Sequence, residues 1–302
     1  WRDPDVMDIK ATERLLVDRV ERILQVARVK GATAAEVSVA ERVGLGVTVR
    51  QQETETVEFN QDRRFHITVY QGQRKGSAST SDGGDEAIAS TVKAALDIAR
   101  YTEDDSFSGL AEASLMAAAP VDLALFHPWD LPVDQAEALA RACEAEALAV
   151  SRVHLSHGAS VGTSTTCSVY GNSHGFVGAF SGTRHYLNCS VLAKDEQGMQ
   201  DGYWHSMGRN HLDLEEAGAI GREAGRRAVS HLGARTFATG VMPVLFAPET
   251  GSGLLGHLIS AISGTALYKK ASFLVDQLGE PVTSPQLTIS ENPLLIGGLG
   301  SA

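Results

Sequence analysis

Basic residues, cysteines and long apolar runs are all scarce in this sequence, and each shortage narrows what it can be. Lys and Arg number 26 against 37 Asp and Glu, a net charge of −11. Nucleic-acid binding rests mainly on neutralising phosphates, so no nucleic acid is expected as a main ligand of a chain whose one notable basic cluster is Arg74-Lys75. The three cysteines, Cys143, Cys167 and Cys189, are too few and too far apart for a disulfide framework. A reducing, cytoplasmic setting is expected. No apolar run approaches the roughly 18 residues that a membrane-spanning helix requires, and no membrane partner is expected. Residues Trp1 to Asp5 are charged and carry no apolar core of a secretory signal. The chain opens on Trp rather than Met, so its numbering need not begin at a native start.

What is there is a soluble, globular composition: 302 residues, 43% hydrophobic and 21% charged, enough for two domains with hydrophobic cores. Leu16, Val20, Ile23, Leu24 and Ala27 repeat at helical spacing, with Gly31 as a stop. Period-two alternation follows in Val43, Leu45, Val47 and Val49, and again in Phe65, Ile67 and Val69. Gln51 to Asn60 adds a further strand between them. Strands that succeed one another without helices predict hairpins and an antiparallel sheet. A second helix is marked by Ile88, Val92, Ala95, Leu96 and Ala99, with Asp85 and Glu86 favourably placed in its first turn.

Residues 102–120 are polar and small and read as a linker, which puts a domain boundary near residue 120. Asp134 with Glu137 has capping-box spacing for a helix through Ala136, Leu139, Ala140, Cys143 and Ala147. A strand-rich block from Arg152 to Met207 follows, then a helix capped by the Asp213/Glu216 pair, then a strand from Met242 to Phe246. The helix through Leu254, Leu255, Leu258, Ile259 and Ile262 is apolar on a wide face and is expected to be mostly buried. The fold class is therefore α+β: an N-terminal domain of helices on an antiparallel sheet over 1–120, then over 121–302 the first part of a larger mixed α/β domain.

Three chemistries suggest themselves and are weakly supported. Gly251, Gly253 and Gly256 fit G-x-G-x-x-G, with Asp276 twenty residues on. Pro248 to Thr250 separates the glycines from the strand, however, and Glu249 would repel phosphates. The parallel strands of a nucleotide-binding half are missing as well. Ten histidines invite a metal site, but His154 and His157 stand three apart on a strand and point to opposite faces. With no neighbouring carboxylate, they and His174 and His185 read as polar residues on strand surfaces. Ser173 and His174 are adjacent, which does not give a nucleophile and base convergence in space. Cys167 and Cys189 read as small buried hydrophobes.

A longer series of segments is more specific. Gly171-Asn172-Ser173-His174-Gly175 is followed by Ser181-Gly182-Thr183-Arg184-His185, then Gly253-Leu254-Leu255-Gly256-His257-Leu258 through Ala261-Ile262-Ser263-Gly264. Tyr268 to Leu274 and Asp276-Gln277-Leu278-Gly279 complete it. In this order the segments resemble the TldD/PmbA metallopeptidase family, specifically its PmbA (TldE) branch, from the first helix to the last residue.

The resemblance implies a division of labour. In this family the TldD subunit carries His-Glu-x-x-x-His on a helix and is the zinc peptidase; the TldE subunit pairs with it and lacks the motif. The pair is associated with degrading unstructured peptides, maturing peptide precursors and turning over antitoxins. Carried over, the first zinc histidine falls on Gly256, the glutamate on His257 and the second histidine on Ala261. The resemblance thus implies no catalytic residue and no cofactor in this chain, with zinc only in a TldD-like partner. Asn172, Ser173, His174 and Gly175 are left as a structural turn or a contact for peptide or partner. It also implies further strands beyond residue 302, and a homodimer is the other assembly to consider. Two alternatives of different class remain: a stand-alone metal-dependent hydrolase built on histidines in the 154–185 block, and a nucleotide-binding module at Gly251 to Gly256.

Overall fold

A computed structural model of the protein describes residues 7–117 and 121–301. Its first half runs α1 (Ile9–Val29), β1 (Ala34–Arg50), β2 (Glu53–Gln71), β3 (Arg74–Thr80) and α2 (Asp85–Tyr101). Its second half repeats the pattern with α3 (Val133–Leu148), β4 (Val153–Asn172), β5 (Val177–Lys194), β6 (Met199–Gly208) and α4 (Ala217–Ser230). The six strands form one antiparallel sheet in the order β3-β2-β1-β4-β5-β6. Its centre is the β1–β4 seam, paired from Glu36↔Asn172 to Val49↔Ala159.

Alternation along the strands builds two cores on one face. Odd-numbered Val37 and Val39 of β1 pack with Leu16, Val20 and Ile23 of α1 and Val92 of α2. Further along the same face, Leu45, Val47 and Val49 pack with Ala140 and Cys143 of α3 and Ile220 and Ala224 of α4. The sequence periodicities named these buried positions because the apolar spacing matches each element's own repeat. Matching glycines bring each outer strand close to its helix. A Cβ at Gly76 of β3 would collide with the Ala95 carbonyl of α2, and one at Gly202 of β6 with the Ala224 carbonyl of α4. The opposite face carries even-numbered residues such as Ser38, Arg42 and Thr48, and stays partly or fully exposed.

Several local expectations change. Gln51 to Asn60 is no separate strand: Gln51 and Gln52 form the turn, and one 19-residue β2 runs from Glu53 through Val69 to Gln71. Neither expected capping box forms. The N-cap of α3 is Pro132 and that of α4 is Glu216, both without a side-chain cap hydrogen bond. Glu137 is instead drawn away by the remote Thr54, whose Oγ1 donates to it at 2.9 Å, and by Arg141 one turn on, paired at 3.2 Å. The boundary near residue 120 falls between two halves of one sheet, because the seam runs across it. By compactness the chain forms two units, 1–234 with 293–302, and 235–292.

The smaller unit contains α5 (Pro248–Ile262) and α6 (Gly264–Tyr268). Residues 242–246 form no strand, since no described strand pairs with them, and Leu245 is fully exposed. The apolar face of α5 is not mostly buried: Leu254, Leu255, Ile259 and Ile262 are 43–61% exposed, and only Ala261 is buried.

One turn ties the halves together. Gln51 and Gln52 both adopt left-handed backbone, φ 55° and 65°, which costs energy for side chains bearing a Cβ. Their amides point at the carboxylate of Glu144 on α3, which is fully buried and accepts from Gln51 N at 2.9 Å and Gln52 N at 2.6 Å. The Gln52 side chain adds a third bond at 2.9 Å. Hydrogen bonds to a buried charge are among the stronger contributions to stability. Glu144→Ala is expected to cost about 3 kcal/mol, read as a shift in urea midpoint at constant slope.

Candidate functional site

The positions equivalent to the zinc motif lie on α5. Gly256 and Ala261 offer no ligating atom, and His257 is a single exposed imidazole. A catalytic zinc needs three protein ligands and an open position, so this donor set does not fit one. The glycines Gly251, Gly253 and Gly256 likewise open no phosphate loop, because no strand leads into them and they lie within the first turns of α5 itself.

The histidines of the 154–185 block are dispersed. Among the described residues, no three His, Cys, Asp or Glu gather in a way that could hold a metal. His157 sits where β4 slips register against β5, and reaches Asp201 of β6 at 2.9 Å. That carboxylate was hidden from sequence reasoning because it is 44 residues away. His185 is not a surface residue at all: it is fully buried beneath the connector between α2 and α3. Cys167 and Cys189 are buried and free, as expected of small hydrophobes.

The Ser181 to His185 segment does build a site. Here β5 runs beyond the end of β6, leaving a free strand edge, and the connector covers it. Thr183 N donates to Leu125 O at 2.9 Å, and Thr183 Oγ1 accepts from His127 N at 2.9 Å while donating to Arg209 O at 2.7 Å. His185 donates through Nε2 to His127 O at 2.9 Å, since a carbonyl can only accept. Its Nδ1 therefore accepts the Thr163 hydroxyl at 2.8 Å. Trp129 packs edge-on against His185 and stacks on His211 at 4.8 Å. Beside this knot lies a groove of about 870 Å³, with Phe126, Tyr170, Phe176 and Phe180 among its walls.

Two arginines stand further along β5, beyond Ser181 where the strand's part of the groove wall stops. Arg209 donates to the carbonyls of Gly298, Leu299 and Ser301 at 3.1–3.3 Å, and Arg184 donates to Leu299 O at 3.1 Å. Arg209 carries no motif spacing and was invisible in the sequence; its role comes from tertiary contacts.

Asn172 to Gly175 forms the β4–β5 turn. The Asn172 side chain is buried and accepts from His174 N at 3.0 Å, and Ser173 Oγ accepts from Ala35 N at 3.1 Å. Ser173 is thus held by backbone rather than by an activating base. Nearby, Glu36 accepts from two phenols, Tyr70 at 2.9 Å and Tyr170 at 3.0 Å. Burial, followed by the Glu36 contact, raises Tyr70 above its usual value.

Burial holds His185 below the ordinary histidine value, and positive charge on His211 or His127 would push the same way. The unfolded chain, near 6.5, then takes up a proton more readily than the folded one. The stabilisation is complete above about pH 6.5 and is lost as pH falls below it. Urea unfolding between pH 7.5 and 5 is expected to show falling stability. His185→Gln, which keeps a donor at the Nε2 position, is expected to flatten the decline.

Sequence models of one family match most of the chain: PmbA/TldA metallopeptidase domain 1 over residues 35–99, the central domain over 126–232 and the C-terminal domain over 239–302. Metalloprotease PmbA of Escherichia coli O157:H7 is 41% identical over 297 residues, 98% of this chain and 66% of its own length. Among solved structures, a candidate modulator of DNA gyrase from Bacteroides thetaiotaomicron superposes with a TM-score of 0.86 at 26% identity, over 94% of this chain and 65% of that one. TldE from Thermococcus kodakarensis shares the fold, with a TM-score of 0.65 at 17% identity over 87% of this chain and 59% of that one. The chain thus spans about two thirds of the length of these relatives, or less. The α+β fold and the ordered motifs have their explanation in this kinship: the chain belongs to the PmbA/TldD metallopeptidase family.

Proposed function

We propose that this chain is the non-catalytic, PmbA/TldE-like subunit of a cytoplasmic zinc metallopeptidase pair that acts on unstructured peptides, as in peptide-precursor maturation or antitoxin turnover. The donor set on α5 carries the reading. With Gly256 and Ala261 in the ligand positions and His257 in place of the glutamate, the helix has neither three ligands nor a carboxylate base for a zinc-bound water. The zinc and the hydrolytic step then belong to a TldD-like partner, and this chain contributes shape and contact surface. Within the described residues no helix is long and apolar enough to cross a membrane, which accords with a partner met in solution. The dispersal of His154, His157, His174 and His185 leaves the stand-alone hydrolase without a centre.

Co-expression with the host's TldD-like protein, a pull-down, and a peptidase assay on each chain alone and on the mixture provide the test. Hydrolysis of an unstructured peptide is expected only when the partner is present, with zinc in the partner by elemental analysis. One zinc per copy of this chain, together with chelator-sensitive hydrolysis by the chain alone, sinks the reading.

A further inference from the structure

The chain carries an excess of eleven negative charges, yet among the described residues two of its arginines meet with no Asp or Glu between them. Arg184 and Arg209 both donate to the single carbonyl of Leu299, each at 3.1 Å. Neither has an Asp or Glu within ion-pair distance among the described residues. A partly buried cation facing only carbonyl dipoles is poorly compensated. Arg209 shows it: burial, then the charge of Arg184, holds its guanidinium below the usual value. Asp122 lines the groove, and Glu36 lies beside its Tyr170 wall. Asp122 accepts from Ala124 N at 2.9 Å, and Glu36 from its two tyrosines.

The placement of the pair is set by the pleat of β5. Phe180, Gly182 and Arg184 lie on one face at alternate positions, so Phe180 and Arg184 stand about 13 Å apart. Gly182 between them has no side chain, and the space it leaves is taken by Arg209: a Cβ there would come within 2.8 Å of Arg209 Nη1. Along this face the strand therefore presents an aromatic ring of the groove wall, then one guanidinium, then another. Arg209 is committed, with donor contacts to Thr183 O, Gly298 O, Leu299 O and Ser301 O. Arg184 is exposed and uses one N–H, toward Leu299 O, leaving the rest of its donor fork open to solvent.

We propose that Arg184, reinforced by Arg209, is a carboxylate-binding subsite at the end of the Phe126–Phe180 groove, and that its ligand is an extended peptide segment with apolar side chains in the groove and a carboxylate on Arg184. A groove walled by aromatic rings suits a short extended apolar stretch, and a planar guanidinium donates two parallel hydrogen bonds to a carboxylate. The carboxylate has two possible sources, the free end of the peptide or an acidic side chain. This inference rests on the peptide-handling role proposed above and assigns it a place and a polarity.

The test uses fluorescence anisotropy with the full chain and three labelled apolar octapeptides: one ending in a free carboxylate, the same peptide amidated, and the amidated peptide carrying a glutamate at its last position. The wild type is expected to bind the free-acid peptide about tenfold more tightly than the amide, the size of one good charge-assisted contact. Arg184→Gln, an exposed substitution whose fold is checked by its thermal melt, is expected to bind both with the affinity of the amide. Recovery of affinity by the glutamate peptide supports a side-chain source, and no recovery supports the terminal source. Equal affinities for acid and amide, or a preference that survives Arg184→Gln, overturn the subsite while leaving the peptide-handling role standing. No binding of any of the three overturns both.

Discussion

Every later feature of the larger unit depends on the pairing of β1 with β4. Each half of the sheet has its own helices, but each core draws on both: Leu45, Val47 and Val49 of β1 lie with α3 and α4, and Cys167 and Val169 of β4 lie with α1 and α2. Neither half closes its inner edge. The seam supplies that closure, with residues 36–49 set against 159–172 in uninterrupted antiparallel register. Because side chains alternate with a period of two, this single register places Val39 and Val47 on the same covered face and Ser38 and Thr48 on the open one. A slip of one residue would exchange the faces across the whole seam. The connector between the halves meets Thr183 and His185 at the free edge of β5, and the groove forms beside that contact.

Much of this was legible in the sequence, where local periodicity decides the outcome. Leu16, Val20, Ile23 and Ala27 are all buried, as are Ala136, Ala140, Cys143 and Ala147. The antiparallel character followed from successive strands without helices between them. Contacts between distant positions were not legible. Asp134 and Glu137 had the spacing of a cap, but Thr54, 83 residues away, donates to Glu137 instead. His185 looked like any polar residue in a strand until the His127 carbonyl and Thr163 hydroxyl came to satisfy both of its nitrogens. The apolar face of α5 obeyed helical periodicity without finding a cover among the described residues. Periodicity reports that a face is apolar; what lies against it is a separate fact.

The two regions that bear on function differ in kind. On α5 the chemistry is set by composition, since Gly and Ala cannot coordinate whatever their surroundings. Around β5 it is set by assembly: Ser181 to His185, the connector and residues 297–301 are remote in sequence and share one hydrogen-bonded knot. A motif search finds the first kind of feature directly. It finds only a fragment of the second, because Arg209 and His127 belong to no recurring pattern.

The turn at Gln51 and Gln52 has a consequence for the order of events during synthesis. Hairpins form in microseconds once their strands exist, whereas the ribosome adds roughly 5–20 residues per second. Both strands of the β1–β2 hairpin are therefore synthesised long before Glu144 is available, and a hairpin formed then must hold a left-handed pair of glutamines with no carboxylate to bind their amides. The 92 residues separating Gln52 from Glu144 correspond to a delay of roughly 5–20 s at that rate. During this interval Leu45, Val47 and Val49, beside the tip, also lack the α3 and α4 side chains they pack against. Docking of α3 ends the wait, so the carboxylate acts as a late fastening that couples the nascent first half to the arrival of the second.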